Sequence, residues 1–284
     1  MTRRRMPLLR AISVAIATLA AAGSAAAEEA TLLLVTTTSV RDSGLLDALL
    51  PVFRQRSGVR VQVIAVGSGA ALRMGSDGNA DALLTHAPDG EEALVASGAV
   101  VARVPFMDNH FVIAGPAADP ARVGEASSPA DALRRIASAA APFVSRGDDS
   151  GTHRREVALF EEAGLDPNSR WEGFERTGSG MGLALQVAGE RRAYVLSDVG
   201  TFLAFRERVD LVELSRPTPS LRNVYSILRV DPKRLKPAAA AAAERFEAFL
   251  LHPDTQRRIR DFGRERYGRA LFRPLHLEDE VAPP

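Results

Sequence analysis

The nine residues Ser145-Arg146-Gly147-Asp148-Asp149-Ser150-Gly151-Thr152-His153 gather an arginine, two aspartates, three hydroxyls, two glycines and a histidine. They follow a short apolar run, Ala141 to Val144, and precede a segment in which Val157, Phe160 and Ala163 share one helical face. This reads as a strand-to-helix turn. The first amides of a helix have no internal partners, so such a turn aims N–H groups and partial positive charge at one point, where an anion fits. Three other turns have a similar composition: Thr36-Thr37-Thr38-Ser39, Gly67-Ser68-Gly69 and Thr177-Gly178-Ser179-Gly180-Met181-Gly182. Each offers hydroxyl or amide donors with little bulk. A neutral hydrogen bond contributes about 0.5–1.5 kcal/mol and one to a charged group about 1.5–3 kcal/mol, so converging donors can hold a small, fully ionised tetrahedral oxyanion with one countercharge. Arg146 is the arginine placed to supply it. The candidate ligand-binding residues are Thr37, Thr38, Ser39, Ser68, Arg146, Ser150, Gly151, Thr152, Gly180 and Met181. The competing reading of Ser150 and Thr152 is that they only cap a helix.

These turns need strands before them and helices after them, and the pattern supplies both. Leu32 to Val35 reads as a buried strand, followed by Leu45, Leu46, Leu49, Val52 and Phe53 at helical spacing, with Pro51 inside that helix as a potential kink. Val59 to Val66 alternates as a strand and leads into a short helix, Ala70 to Met74. Ala82 to Leu84, Phe111 to Pro116, Ala193 to Leu196 and Val224 to Val230 read as further strands, the second of them running out into a linker. Helices are expected around Leu183 to Val187, from Thr201 to Phe205, from Ala238 to Leu251 and from Pro253 to Phe262. Alternating strands and helices imply an α/β fold with parallel-rich sheets and helices on both faces, with ligands bound at the carboxyl ends of the strands.

Residues 1–27 carry Arg3, Arg4, Arg5 and Arg10, an apolar stretch from Ala11 to Ala22 and the small residues Ala25-Ala26-Ala27, the pattern of a secretory leader cleaved near Ala27. The apolar stretch is shorter than the roughly 20 residues of a spanning helix. There is no cysteine, which excludes a disulfide scaffold or a lipid-anchored cysteine. The chain carries a formal charge of +1; without the four leader arginines, 32 basic residues face 35 acidic ones, or −3. A slightly acidic surface argues against nucleic acid or an anionic membrane as partner. The expected protein is a monomer in the periplasm, not embedded in a membrane.

Thr36-Thr37-Thr38-Ser39, Asp42-Ser43-Gly44-Leu45-Leu46-Asp47, Val63 to Gly67, the Ser145–His153 run and Gly180-Met181-Gly182 together resemble the periplasmic tungstate-binding components of ABC importers. Asp261-Phe262-Gly263, Tyr267-Gly268 and Leu271-Phe272 extend the resemblance to nearly all of the chain after the leader. It implies two α/β lobes of the type II periplasmic binding protein fold, joined by a hinge and closing on one oxyanion. Lobe I would comprise residues 28–110 and 222–284, and lobe II residues 111–221, with the hinge near Asn109 to Val112 and Asn223 to Ser226. It also implies a membrane permease and its ATPase as partners, no cofactor and no metal-ion site, tungstate being held through its oxygens. The family usually carries threonine and glutamine where this chain has Val40 and Arg41, threonine where it has Ser68, and glutamine where it has Ala70 and Ser179.

Two other functions fit parts of the pattern. Phosphate receptors also use a serine, glycine and threonine turn; phosphate keeps a proton near neutral pH and needs an acceptor, which Asp148 or Asp149 could provide. Ser150 and His153 superficially suggest a serine hydrolase, yet there is no G-x-S-x-G elbow, and residues three apart at a helix start are not thereby aligned as nucleophile and base. His86, His110, His252 and His276 are too scattered to suggest a metal site.

Overall fold

Leu32 and Leu34 point to one side of the first strand and Val35 to the other, and this alternation governs how the chain layers. The computed structural model describes residues 30–168 and 171–277; the leader expected at 1–27 lies outside the described residues. The first strand, β1 (Thr31–Thr37), passes directly into α1 (Thr38–Asp42) and α2 (Leu45–Ser57). β2 (Arg60–Val66), α3 (Ser68–Ser76), β3 (Ala82–Thr85) and α4 (Pro88–Ala96) follow. The long β4 (Val100–Gly115) leads to α5 (Pro129–Ser138), β5 (Phe143–Ser145), α6 (Gly151–Glu162), β6 (Phe174–Arg176), α7 (Met181–Arg191), β7 (Tyr194–Asp198), α8 (Val199–Phe205) and β8 (Val212–Glu213). The chain returns through β9 (Arg222–Val230) to α9 (Pro237–Leu251), α10 (Pro253–Asp261), α11 (Arg264–Tyr267) and β10 (Arg273–Pro274). Among the described residues no helix is long and apolar enough to cross a membrane.

The strands lie in the order β2-β1-β3-β9-β4-β7-β5-β6, with β8 and β10 paired to β4 off this path. Parallel pairs occupy the two flanks, β1 with β2 and β3, and β5 with β6 and β7. The middle is antiparallel: β9 pairs with β3 and β4, and β4 with β7. The parallel-rich expectation thus holds for the flanks and fails at the centre, because the chain crosses between the flanks on β4 and comes back on β9. β4 pairs with β9 from Val100 to His110 and with β7 from Phe111 to Ala114, so one strand serves both sheets. The strand expected from Phe111 is present and ends at Gly115, but it is only the second half of β4, which begins at Val100. Pro105 sits at a register shift in the pairing with β9, where a missing N–H disturbs the ladder least.

One apolar core runs under both sheets: Leu32, Leu34, Ala82 and Leu84 meet Leu45, Leu49, Phe53 and Phe246 at one end, and Val112, Val144 and Val195 meet Ala184, Leu185 and Phe202 at the other. The opposite faces have separate cores, Val35, Leu83 and Leu228 against Ala71 and Leu94, and Ile113, Phe143 and Leu196 against Leu133, Ile136 and Phe160. Pro51 lies inside α2, whose buried Leu45, Leu46, Leu49 and Phe53 hold it in place despite the lost backbone bond.

Candidate functional site

At the carboxyl ends of β1, β2, β5 and β7 the chain turns into α1, α3, α6 and α8, and α7 starts beside them after β6. The residues before α3 and α7 are Gly67 and Gly180, both extended and with no side-chain cap bond, which leaves the first N–H groups of those helices uncapped. Ser68 Oγ accepts a 3.0 Å bond from Gly151 N, joining the start of α3 to the start of α6. A Cβ built on Gly180 would stand 4.0 Å from Thr38 Oγ1, and one on Gly67 3.8 Å from the Asp148 carbonyl oxygen. Four helix starts therefore meet at one place.

Arg146 sits among them, only 2% exposed. Its Nη2 donates to Asp148 Oδ2 at 2.5 Å and its Nε to the Ser179 carbonyl at 3.3 Å. Thr152 Oγ1 and Ser179 Oγ, at the starts of α6 and α7, are buried with no hydrogen-bond partner among the described residues. Unpaired buried hydroxyls beside a buried guanidinium are what an anion would satisfy. A cleft of about 360 Å³, lined by His86, Gly151, Arg103, Arg154, Arg222 and Asn223, opens next to this cluster. A larger cavity of about 870 Å³ lies elsewhere, between α2 and the α10–α11 corner.

The structure gathers all ten sequence candidates, in different capacities. Thr37, Ser39, Ser68, Ser150 and Thr152 are buried, Thr38 and Gly180 partly so. Ser150 acts as a helix cap: its Oγ accepts from His153 N, while its own N–H donates to Asp148 Oδ1. The Met181 side chain is buried in the central core, so only its main-chain N–H can join the cluster of donors. Thr36-Thr37-Thr38-Ser39 is not a loop: Thr37 ends β1 and Thr38 opens α1. Threonine favours extended backbone, and the run has no glycine to break the strand early.

Sequence reasoning passed over a second polar group at the same place. His86 Nδ1 lies 2.9 Å from Asn223 Oδ1, and its Nε2 lies 3.3 Å from Ser39 Oγ. Asn223 Nδ2 donates to Asn109 Oδ1 and Tyr225 Oη, both at 2.9 Å. Asn109 and Asn223 are paired where β4 and β9 cross between the sheets. A lone histidine after a short strand carries no motif. The available signal was the polar interruption of two apolar strands by Asn109 and Asn223.

The profile of the PBP superfamily domain matches residues 24–254. The tungstate-binding protein TupA of Peptoclostridium acidaminophilum is 40% identical over 240 residues, covering 84% of this chain and 83% of that protein. The chain belongs to this tungstate-binding protein family. A crystal structure described as the tungstate ABC transporter of Geobacter sulfurreducens superposes with a TM-score of 0.75 at 42% identity, covering 82% of this chain and 98% of that one. The tungstate-binding protein TupA of Desulfovibrio alaskensis gives 0.75 at 39% identity, covering 86% and 98%.

Within this family two departures of the sequence are harmless to the donor cluster. Val40 is buried in the central core, and Arg41 is exposed and paired with Asp42 at 2.8 Å. Ser179 keeps a buried hydroxyl beside Arg146.

Two buried groups are expected to make the stability of the protein depend on pH. Burial pushes the Glu156 carboxyl up to about 8 and lowers His86 to about 4. For Glu156 the unfolded chain ionises first, so stability falls as pH rises from 4.5 towards 8. For His86 the unfolded chain protonates first, so stability rises with pH from 4 to 6.5. The two slopes oppose each other between pH 4.5 and 6.5, and above 6.5 only Glu156 acts. We expect the unfolding free energy to drop by about 2 kcal/mol between pH 6.5 and 8, and the drop to vanish in Glu156→Gln. Denaturant titrations at the two pH values check this; an equal drop in the variant would exclude Glu156 as its source.

Proposed function

We propose that the protein is an extracytoplasmic receptor that captures a tetrahedral oxyanion, tungstate or molybdate, between two lobes and delivers it to an ABC permease and its ATPase. The observation that carries this reading is the buried Arg146, bonded to the Ser179 main chain, together with the hydroxyls of Thr152 and Ser179 at the starts of α6 and α7, which are buried and without a partner among the described residues. The relatives named for tungstate binding support it. Residues 28–110 with 222–284 form lobe I and residues 111–221 form lobe II, β4 and β9 being the two crossings about which the lobes close. Thr37, Thr38, Ser39, Ser68, Thr152 and the main chain at Gly151, Gly180 and Met181 surround the anion, and Arg146 neutralises part of its charge. Neither a cofactor nor a resident metal ion has a role in this scheme. The leader directs the chain to the periplasm, where it works as a soluble monomer.

The phosphate reading needs a carboxylate acceptor in the cage. Asp148, the nearer candidate, already takes Arg146 Nη2 on one oxygen and Ser150 N on the other, and Asp149 is held by both nitrogens of the Arg154 fork. The hydrolase reading needs an imidazole on the Ser150 hydroxyl. His153 instead reaches Ser150 with its backbone N–H, while its Nδ1 accepts from Asp149 N. Native mass spectrometry of the mature protein after incubation with sodium tungstate should show one tungstate per chain. A protein that stays unliganded with tungstate and molybdate but retains phosphate would contradict the reading.

A further inference from the structure

The wall that lobe I presents to the site is an ordered chain of hydrogen bonds, and its direction follows from valence. Asn223 Nδ2 is committed to Asn109 Oδ1 and Tyr225 Oη, so the atom it turns to His86 is Oδ1, an acceptor. His86 Nδ1 must therefore carry the proton of the neutral ring, which leaves Nε2 with a bare lone pair. Ser39 Oγ, 3.3 Å from Nε2, then donates its hydrogen to the ring, and Thr37 Oγ1, 3.1 Å from Ser39 Oγ, donates to Ser39. In this state the hydroxyl hydrogens of Thr37 and Ser39 are used within the protein. The wall offers lone pairs, which a dianion repels.

Resting on the oxyanion-receptor reading above, we propose that His86 sets the hydrogen-bond polarity of this wall and takes up one proton when a dianion binds, so that Ser39 turns its hydrogen from the ring to the anion. The proton comes from the buffer and adds to Nε2. The Nε2–H bond now points at Ser39 Oγ, so the serine hydrogen rotates away from the ring and towards an anion oxygen; no other bond changes. His86 is thus a positioning residue that acts through Ser39.

The surroundings fit a ring held neutral until an anion arrives. Burial and the Arg146 charge both disfavour the imidazolium, and Asn223 favours it, leaving the ring at about 4. From β9, the Tyr225 ring lies tilted against it at 4.9 Å, with its phenol held protonated by burial and by the Asp198 charge. From β4, Phe111 lies 6.4 Å away, and from α6 the Gly151 main chain abuts the ring. In the adjoining cleft Arg103, Arg154 and Arg222 are each paired with a carboxylate, of Glu91, Asp149 and Asp108. A bound dianion is the charge that would outweigh Arg146. Two unit charges near 4 Å interact by several pKa units at the effective dielectric constant of about 20 that describes protein sites.

Nitrogen-15 NMR of the free protein at pH 7 should show His86 as the tautomer protonated on Nδ1; protonation on Nε2 alone would overturn the inference whether or not any oxyanion binds. Calorimetry with sodium tungstate at pH 6.5, in buffers of different ionisation enthalpy, should report uptake approaching one proton per tungstate. The dissociation constant should then fall by up to about tenfold per pH unit between pH 8 and 6.5. His86→Gln should bind with no proton uptake and no pH dependence. Tight tungstate binding without proton uptake in the parent protein would overturn the role of His86 and leave the receptor reading standing. Absence of binding for every oxyanion would remove both.

Discussion

Arg146→Ala is expected to bind tungstate more than a hundredfold more weakly than the parent protein. The guanidinium is 2% exposed and holds Asp148 Oδ2 and the Ser179 carbonyl at once. Its removal costs a charge-assisted bond to the anion, about 1.5–3 kcal/mol, and leaves Asp148 as an uncompensated negative charge beside the site. Even about 3 kcal/mol in total is more than a hundredfold in affinity. Arg146→Lys keeps the charge and loses the fork, so it cannot serve Asp148, Ser179 and the anion together, and it should fall between the two. Calorimetry decides; an unchanged dissociation constant in Arg146→Ala removes this residue from the site.

Gly151→Val should have the second largest effect, by preventing closure. A Cβ at Gly151 would lie 2.7 Å from His86 Cε1 and 3.1 Å from the His86 carbonyl oxygen. The ring is held on both nitrogens and the carbonyl is backbone, so neither gives way cheaply. The same residue supplies the N–H that Ser68 accepts across the cleft. The lobes of the variant should remain apart, with affinity reduced about a hundredfold or more, the cost of a few kcal/mol of overpacking. Gly69→Ala is the control. Its Cβ would lie 2.6 Å from Asp149 Oδ2, the tip of an exposed side chain paired with Arg154, which can swing aside. Small-angle scattering should show compaction by tungstate in the parent protein and in Gly69→Ala but not in Gly151→Val. Compaction of Gly151→Val to the parent dimensions would show that the seam is not as tight as this geometry requires.

The parts of this molecule that could be read from its sequence are those where one short stretch contains both the residue and its reason. Ser145 to His153 holds its own turn, cap and guanidinium, and the strand-to-helix reading survives down to the Ser150 cap on His153. The buried strands at Leu32 and Ala82 likewise announced themselves by composition. What escaped depends on partners distant in the chain. β4 was read only from Phe111 because Pro105, Asp108, Asn109 and His110 break its apolar pattern, and those polar residues are tolerated only because β9 and β10 lie alongside. His86 became meaningful through Asn223, 137 residues away. Met181 looked like part of a donor turn, and it is, through its backbone; its side chain belongs to the core because α7 packs on the same face as Phe202. Asp148 was weighed as a phosphate acceptor, and the sequence could not show that each of its oxygens accepts a bond from the protein itself, one from Arg146 Nη2 and one from Ser150 N.

The central claim is that a cage of converging donors selects a fully ionised tetrahedral dianion, and competition calorimetry at pH 7 with tungstate, molybdate, sulfate and phosphate tests it most directly. With His86 protonated and Ser39 donating to the anion, monohydrogen phosphate would turn its hydroxyl hydrogen against a donor, leaving a buried group unsatisfied at about 1–3 kcal/mol, or roughly ten- to a hundredfold in affinity. Sulfate has shorter bonds, and in a cage sized for tungstate its oxygens lie too far from some donors, since useful bonds fade beyond about 3.2 Å. Tungstate and molybdate are close in size and charge, so they should be separated least. The account predicts tungstate at or above molybdate, with sulfate and phosphate far behind; phosphate binding as tightly as tungstate would contradict it.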